Sequence, residues 1–327
     1  MGDVAMTVPV IKNILQQNPA VEITIVSNAF LQPLFAGLQR CHFYPADIKG
    51  KHKGIAGMYK LYKELKALHA YSAIADLHSV LRSTILTGFF RLSGYQTATI
   101  DKGRAGKKLL TQKSNKQLQQ LPTSFERYAS VFKKLGIDCK LKYDEAVYSR
   151  QAIPAAAVSY FTISDNIIGI APFAFHKEKM FSLERMKLMV KKLSSTGNTI
   201  LLLGGGKEEA AILQSWQHEL QGTVFNVAGK FSFKDELAII SNLTQMVSMD
   251  SANMHLASLF NVPVISIWGA THPFAGFYGW GQPLQNIVSV DIACRPCSVF
   301  GNKPCWRGDN ACMALIKEKM ILDKLSN

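Results

Sequence analysis

The feature that most constrains the fold is an alternation of short apolar runs with helical segments in the second half of the chain. The runs are "IIGIAPF", "TILLLGGG", "TVFNVAG", "QMVSMD" and "PVISIWG". Helical spacing of apolar residues predicts helices between them, over 182–195, 207–221, 233–243 and 252–260. Strands that alternate with helices of this length predict βαβ units around a parallel sheet buried on both faces.

The first half has a similar alternation. It predicts strands over 21–28, 71–79 and 96–103, and helices over 8–17, 57–70, 81–94 and 123–136. A chain of 327 residues is long enough for two domains of ordinary size. We therefore expect two doubly wound, Rossmann-like α/β domains with a cleft between them, over 1–160 and 161–327.

The chain opens "MGDVAMTVPV", with a Gly-Asp pair ahead of any strand. A doubly wound domain should begin with a strand that leads into such a glycine turn. We therefore expect the central strand of the first sheet to be missing, which would leave a gap or an irregular domain. A myristoylation signal needs Ser or Thr at the sixth position, where Met6 stands. Neither a secretory signal nor an apolar run of about 20 residues is visible in the sequence.

The net charge of +14 is unevenly distributed. Residues 1–150 contain 22 basic and 10 acidic residues, whereas the remainder contains 15 and 13. Such a field favours an anionic partner, although general solubility would also explain it. We interpret residues 102–116 as a mobile basic loop. Together with Lys49–Lys53, this loop is a candidate contact for an anionic acceptor or a membrane surface. The alternative is that both segments are solvated loops without a binding role. No nucleic-acid-binding module is recognisable. The candidate acceptor-binding residues are Lys102, Arg104, Lys107 and Lys108.

Four of the six cysteines lie close together in "CRPCSVFGNKPCWRGDNAC". Their thiolates could hold a structural zinc ion, although the spacing between the two pairs is irregular. Disulfides are disfavoured in a reducing cytoplasm, and unligated thiols remain a third interpretation. The four residues are Cys294, Cys297, Cys305 and Cys312.

Three glycines separate a predicted strand from a predicted helix in "LLLGGGKEE". Glycine lets the backbone approach a ligand closely, and the N-terminus of the helix offers unpaired N–H groups to a phosphate. The segment lacks both the Walker Gly-Lys-Ser/Thr and the G-x-G-x-x-G pattern. Phosphate binding and a simple tight turn both remain open for Gly204, Gly205 and Gly206.

The stretch "VSMDSANMHLASLFNVPVISIWGATHP" is the most specific signal in the chain. Asp250 and Ser251 end a predicted strand and precede a helix, so that the N–H groups of its first turn would face the ligand site. His255 lies one turn further along. Each feature alone is common in structural roles, but the combination favours a binding site.

Residues 168–280 closely resemble glycosyltransferase family 9, the heptosyltransferases of lipopolysaccharide assembly. The resemblance is carried by "DSANMHLA", by "VPVISIWGATHP" and by "IAPFAFHKEKMFSLERM", in which Lys179 and Phe181 fall on the family's lysine and aromatic positions. The opening "GDVAMTVPVIKNI" is similar to the family's first glycine turn. Two departures leave the nucleotide and sugar open: Ala252 stands at a usual glycine, and Met180-Phe181-Ser182 replaces Arg-Trp-Pro.

The resemblance implies the two-domain GT-B fold and an inverting glycosyltransferase of the bacterial cytoplasm, peripheral at the inner membrane face. The second domain would bind a nucleotide sugar, with ADP-heptose as the expected donor, and the first a phosphorylated glycolipid of the lipopolysaccharide core. We expect no cofactor and no metal, because no Asp-x-Asp occurs. Asp3 would be the catalytic base, with a helix N-cap as the alternative. Lys179 would stabilise the leaving phosphate. The candidate donor-binding residues are Gly204, Gly205, Gly206, Glu208, Glu209, Asp250, Ser251, Ala252, Asn253 and His255.

Two other functions fit the same pattern. A sugar-nucleotide epimerase of this fold would bind the donor alike, but it would not need the basic first half. A non-catalytic nucleotide-sugar-binding homologue would fit the absence of a first strand.

Overall fold

The computed structural model describes residues 1–325, which form two compact units. Unit 1 comprises Met1, residues 3–104 and residues 122–142; unit 2 comprises Gly2, residues 105–121 and the chain from Tyr143 onward. The division therefore falls earlier than the predicted boundary at 160. Within the described residues, no helix is both long enough and apolar enough to cross a membrane.

Unit 1 contains four short strands, and its helices bury their apolar faces. Helix α1 begins at Gly2, earlier than the predicted start at residue 8, and includes Pro9. Strand β2 was not predicted. The elements are α1 Gly2–Gln17, β1 Ile23–Ser27, β2 Cys41–Pro45, α2 Gly54–Leu68, β3 Ala73–Asp76, α3 Leu81–Leu92, β4 Gln96–Thr99, α4 Arg104–Thr111, which crosses into unit 2, and α5 Ser124–Lys133.

The strands of unit 1 form two separate sheets rather than one. β1 pairs in parallel with β2, and β3 pairs in parallel with β4. A cavity of about 690 Å³ is lined by both β1 and β3. The expected gap in the first sheet is therefore present, and it lies between these two strands.

The loop between β2 and α2 is held by a network of charged and polar side chains. His52 is buried; its Nδ1 accepts the Asp47 N–H, and its Nε2 lies 3.0 Å from Oε2 of Glu64. Glu64 also bonds the Lys51 ammonium at 2.7 Å and the Tyr44 hydroxyl at 2.6 Å. Lys51 is thus tied down within the segment Lys49–Lys53.

Unit 2 contains a six-stranded parallel sheet. All five predicted strands and the four predicted helices between them are present within a few residues of the predicted bounds; β10 was not predicted. The elements are α6 Ala155–Val158, β5 Ile167–Ala171, α7 Leu183–Ser194, β6 Thr199–Leu202, α8 Gly206–Leu220, β7 Val224–Asn226, α9 Phe233–Ile240, β8 Gln245–Met249, α10 Ala252–Ser258, β9 Val264–Ile267, β10 Ile287–Val288, α11 Ala311–Ala314 and α12 Glu318–Leu325.

The spatial order of this sheet is β10-β9-β8-β5-β6-β7. Every residue of β5, β6 and β9 is buried, which explains why these strands are continuous apolar runs in the sequence. The apolar core includes Ile170 of β5, Leu202 of β6, Met189 of α7 and Trp216 of α8. Helices cover this sheet as the alternating pattern predicts.

The segment predicted as a mobile basic loop is instead ordered, and helix α4 occupies much of it. The Lys116 ammonium donates to the carbonyls of Ala293, Cys294 and Pro296, at 2.9 to 3.3 Å. The Lys113 ammonium lies 4.8 Å from the Trp306 ring centroid. These contacts explain why residues 105–121 belong to unit 2.

The chain between Tyr143 and residue 160 also belongs to unit 2, because its aromatic and backbone groups pack there. The Tyr143 ring stacks on Trp280 at 4.4 Å between centroids, and the Trp280 indole donates to the Glu145 carbonyl. The N–H groups of Val147 and Tyr148 both donate to the Leu259 carbonyl.

Two helical glycines of unit 1 should respond oppositely to alanine. A Cβ at Gly57 of α2 would lie 2.3 Å from the His52 carbonyl carbon, whereas a Cβ at Gly88 of α3 would meet nothing within 4 Å. Gly88→Ala should raise the free energy of unfolding by about 0.5–1 kcal/mol. Gly57→Ala should lower it by about 1–3 kcal/mol, because backbone must move. Urea unfolding of both variants checks this, and equal shifts would contradict it.

The Glu64 network predicts a pH-dependent contribution to stability. The bond from Lys51, followed by that from Tyr44, lowers the pKa of Glu64 to about 2. A depressed carboxyl pKa stabilises the fold above about pH 4.5, and this stabilisation is lost as the pH falls toward 2. Glu64→Gln should therefore cost about 1–2 kcal/mol near neutral pH and much less near pH 3. Urea unfolding at both pH values is the measurement. The exposed Glu22→Gln is the control, and equal losses for the two variants would refute the assignment.

Candidate functional site

The candidate site lies at the carboxyl edge of the unit 2 sheet, where the direction of strand addition changes. From β5 the chain adds β6 and β7 on one side, and β8, β9 and β10 are added on the other. β5 and β8 are neighbours at this switch point. Ligands of open α/β sheets bind beyond the carboxyl ends of the strands at such a point.

Three loops bring polar side chains together there. The Lys179 ammonium, in the loop after β5, lies 2.8 Å from Oδ2 of Asp250, which follows β8. The same oxygen accepts a 2.9 Å hydrogen bond from the hydroxyl of Thr271, which follows β9. The side chains of Lys179 and Asp250 are 16% and 6% exposed, so that the pair is shielded from most solvent screening.

The stem of Lys179 is positioned by its neighbours. A Cβ at Gly301 would lie 2.4 Å from Cγ of Lys179, so only glycine lets the cysteine-rich loop pack this closely against the stem. Phe181, two residues further on, is fully buried and donates its N–H to the Met249 sulfur. Arg185 covers the Phe181 ring at 4.7 Å. The ammonium is therefore held at the edge of the site.

The glycine turn follows β6, next to β5 in the sheet. The N–H of Gly205 donates to the Glu209 carboxylate at 2.7 Å, so Glu209 stabilises the turn itself. Gly206 has a φ of +79°, and a Cβ there would meet nothing within 4 Å. Glu208, by contrast, is exposed. The turn thus leaves open space above Gly206 at the start of helix α8.

The segment after β8 has the predicted strand–helix arrangement, with one difference in its cap. Ser251 has the extended backbone of an N-cap, but its side chain makes no capping hydrogen bond; its hydroxyl lies 3.2 Å from that of Ser248. Ala252 and Asn253 are half-buried in the first turn of α10. His255 is buried one turn into that helix.

Two titratable groups lie near this edge of the sheet: His272, in the loop after β9, and Arg295, in the segment after β10. Burial, and then the charge of Arg295, lower the pKa of His272 to about 4, so this imidazole is neutral near pH 7. Arg295 is itself buried and donates to the Gly269 carbonyl at 2.9 Å. Burial lowers the pKa of Arg295 to about 10, which still leaves it charged.

The four clustered cysteines have free thiols; three of them are half-buried and Cys312 is buried. Within residues 1–325, no group of three or more His, Cys, Asp or Glu side chains is arranged to hold a metal ion.

Asp3 lies in unit 1, in the first turn of α1 rather than at its N-cap. Its side chain is exposed, and the residue lines the cavity of unit 1. The hydroxyl of the buried Tyr128 donates to the Asp3 carbonyl at 3.3 Å. Burial, and then the Asp3 charge, raise the pKa of Tyr128 well above its usual value.

The four predicted acceptor residues differ in exposure. Arg104 and Lys108 are exposed, and Lys102 is half-buried. Lys107 is only 8% exposed, and its ammonium lies 4.3 Å from the Phe277 ring centroid and 5.9 Å from that of Phe300. Lys107 therefore takes part in the packing of unit 2.

Two residues of the site were not predicted. Thr271 lies within "WGATHP", a motif singled out in the sequence, so its hydroxyl could have been proposed from that motif. Gly301 lies in the cysteine-rich segment, where no sequence pattern links it to Lys179. Its role becomes visible only through the packing.

Comparisons with known proteins identify the family of the chain. Residues 58–304 match the family model described as glycosyltransferase family 9 (heptosyltransferase). A lipooligosaccharide heptosyltransferase 2 of Campylobacter jejuni is 24% identical over 60% of this chain; the chain spans 57% of the length of that relative.

Two solved structures are similar over nearly the whole chain. A glycosyltransferase family 9 structure from Veillonella parvula is 18% identical to this chain and has a TM-score of 0.78. The alignment covers 100% of this chain and 93% of the Veillonella chain. The ADP-heptose lps heptosyltransferase II of E. coli is 18% identical to this chain and has a TM-score of 0.68. This alignment covers 99% of this chain and 94% of the E. coli chain. The predicted α/β fold class is thereby confirmed, and the match to the family model shows that the chain belongs to glycosyltransferase family 9.

Proposed function

We propose that this protein transfers a heptose from ADP-heptose to an acceptor of the lipopolysaccharide core, with inversion at the anomeric carbon and without a metal ion. The observation that carries the proposal is the Lys179–Asp250 pair at the switch point of the unit 2 sheet, beside the glycine turn. The Campylobacter relative is a heptosyltransferase, which supports the choice of sugar, and the similar E. coli structure is an ADP-heptose lps heptosyltransferase, which supports the choice of nucleotide.

Lys179 is suited to the developing charge of the leaving diphosphate. An ammonium has three donors, and the contact with Asp250 uses one of them. Asp250 fixes the direction of the ammonium, and Thr271 fixes Asp250. A preorganised cation at a shielded site stabilises transition-state charge without reorganising.

The glycine turn supplies the second part of the diphosphate site. Helix α8 has 15 residues and begins at Gly206, so the N–H groups of its first turn are offered to an anion. The open space above Gly206 admits a phosphate close to the backbone. Lys179 and these N–H groups would neutralise the diphosphate in place of a chelated metal ion, and the chain contains no Asp-x-Asp.

Asp3 is the proposed general base. Its exposed carboxylate in the first turn of α1 can accept the proton of an acceptor hydroxyl as that oxygen attacks the anomeric carbon. The bond to the diphosphate breaks on the opposite face of the sugar, and the negative charge leaves on the nucleotide.

Exposed basic side chains are the proposed contacts for the acceptor and for the inner face of the cytoplasmic membrane. They attract a phosphorylated glycolipid and anionic headgroups at long range. The residues are Lys49, Lys53, Arg104 and Lys108.

Incubation of the protein with ADP-heptose and a truncated lipopolysaccharide core tests the proposal. The expected products are ADP and a core one heptose heavier by mass spectrometry, with the anomeric configuration inverted in the NMR spectrum. An epimerised nucleotide sugar in the absence of acceptor, or ADP-heptose left intact with every core tested, would contradict it.

Lys179→Gln should lower kcat/KM for transfer by about 10²–10³-fold, because it removes one preorganised cation from the leaving group. The matched control is Lys177→Gln, because Lys177 lies in the same turn but its side chain is exposed. Steady-state ADP release measures both. A loss shared equally by the two variants would show that general charge, rather than the placement of Lys179, is responsible.

Asp3→Asn should lower kcat by about 10²–10⁴-fold while the affinity for ADP-heptose stays unchanged, because the base acts on the acceptor and not on the donor. Calorimetric titration with ADP-heptose separates binding from turnover. The exposed Asp165→Asn is the control. Full activity of Asp3→Asn would move the base to another residue.

A further inference from the structure

One large apolar side chain beside the candidate site is almost wholly exposed. Phe175 is 95% exposed, more than any other large apolar residue among those that the structure describes. It lies in the loop between β5 and Lys179, at the carboxyl edge of the unit 2 sheet. Single exposed apolar side chains are common, so exposure alone indicates no role. The surroundings of Phe175, however, distinguish it from a solvated loop residue.

The backbone on both sides of Phe175 is anchored. Two residues before it, Phe173 is buried in the apolar core of unit 2. Three residues after it, the carbonyl of Glu178 accepts the Ala270 N–H at 3.4 Å. The ring is therefore exposed on a backbone that is already fixed, so a ligand that covered the ring would have little of the loop to order.

Contacts around Gly301 connect the exposed ring to the Lys179 stem. The Phe175 ring packs edge-on against the His176 ring, with 4.8 Å between centroids. A Cβ at Gly301 would lie 3.6 Å from Cβ of His176 and 2.4 Å from Cγ of Lys179. His176 and the Lys179 stem thus pack against the same glycine. The exposed ring is therefore one side chain away from the stem of the lysine that we propose to hold the leaving diphosphate.

A second exposed aromatic ring lies on the other segment of this contact. Phe300, in the cysteine-rich segment, is 52% exposed. Its ring centroid lies 5.5 Å from that of Phe277 and 5.9 Å from the Lys107 ammonium. Phe175 and Phe300 thus place exposed apolar surface on the two chain segments that meet at Lys179. Apolar surface beside a few converging polar groups is typical of a ligand site.

The contacts of this loop indicate which part of a nucleotide sugar would reach it. Residues 172–179 contact the loops after β9 and β10, through Ala270 and Gly301. The glycine turn follows β6, which lies on the other side of β5 in the sheet. The proposed diphosphate site has Lys179 on the first side and the glycine turn on the second. A donor whose nucleoside lies at the turn would have its sugar on the side of Phe175.

A flat aromatic ring suits a sugar for a physical reason. A pyranose ring carries C–H groups across a face, and these hydrogens are slightly positive. The face of an aromatic ring carries the negative part of its quadrupole. Stacking the two faces buries apolar area of both, while the hydroxyls around the sugar ring stay free to meet polar partners. A branched aliphatic side chain can supply apolar area, but it lacks the flat negative face.

We propose that Phe175 is the platform on which the sugar ring of the nucleotide-sugar donor stacks, beside the diphosphate held by Lys179. The inference rests on the proposed function and adds a specificity-determining contact to it. Through this contact the protein distinguishes a nucleotide that carries a sugar from the free nucleoside diphosphate. Phe175 takes no part in proton transfer or in neutralising the leaving group.

Calorimetric titration of the full chain with ADP and with ADP-heptose tests the assignment. Phe175→Ala should raise the Kd of ADP-heptose by about tenfold and that of ADP by less than about twofold. Phe175→Trp should restore the affinity for ADP-heptose, whereas Phe175→Leu, which is apolar but not flat, should restore little of it. The matched control is Leu188→Ala, which removes another exposed apolar side chain of unit 2 and should change neither Kd.

NMR spectroscopy gives a second, independent measurement. Stacking on an aromatic ring should move the sugar C–H resonances of bound ADP-heptose upfield. Phe175→Leu should abolish this shift while the adenine resonances of the bound ligand stay where they are. An unchanged sugar shift in that variant would overturn the proposal.

Other results would also overturn it. Equal weakening of ADP and ADP-heptose by Phe175→Ala would place the ring at the nucleoside or give it a general structural role. An unchanged Kd for ADP-heptose would reject the platform, and a raised KM for the acceptor in that variant would assign the ring to the acceptor sugar. A wild-type protein that bound neither nucleotide would instead contradict the proposed function, and this inference with it.

Discussion

The architecture of both units depends on one constraint: a parallel sheet must be buried on both faces. Each crossover between parallel strands puts a helix on one face, and the strands between the helices are apolar along their whole length. In unit 2 this leaves only the ends of the strands for polar chemistry, so Lys179, Asp250 and Thr271 all lie in loops beyond carboxyl ends. In unit 1 the same constraint is unmet between β1 and β3, where the cavity lies.

Most of the fold could be predicted from the sequence because local periodicity and burial agree. The strands of unit 2 read as apolar runs since their residues are buried on both faces. The two missed strands lack that signature: "CHFYP" in β2 mixes polar and aromatic residues, and β10 has two residues. Helix α4 was missed because it has only eight residues and one of its two buried side chains is a lysine, Lys107, which lies over the Phe277 ring.

Individual residues of the candidate site could be predicted from the sequence, but the contacts between their side chains could not. Lys179 and Asp250 were both identified from motifs, yet their ion pair depends on β8 lying beside β5, and strand order is not a local property of the chain. Glu209 was predicted to bind the donor, and the structure adds a contact that no motif indicated: its carboxylate accepts the Gly205 N–H. Gly301 could not be found at all, because its contribution is the side chain that it lacks.

The lysines of residues 105–116 show that a positive charge can have two roles, a packing contact and a contribution to the long-range field. A count of charges does not distinguish the two. Lys107 lies over aromatic rings, Lys113 lies near Trp306, and Lys116 is enclosed by backbone carbonyls. Their charges still add to the long-range field that draws an anion toward the protein. Their ammonium groups are engaged in packing, whereas Lys108 of the same segment is exposed. For the proposed anionic acceptor, these three lysines would therefore contribute more to the rate of encounter than to the residence time.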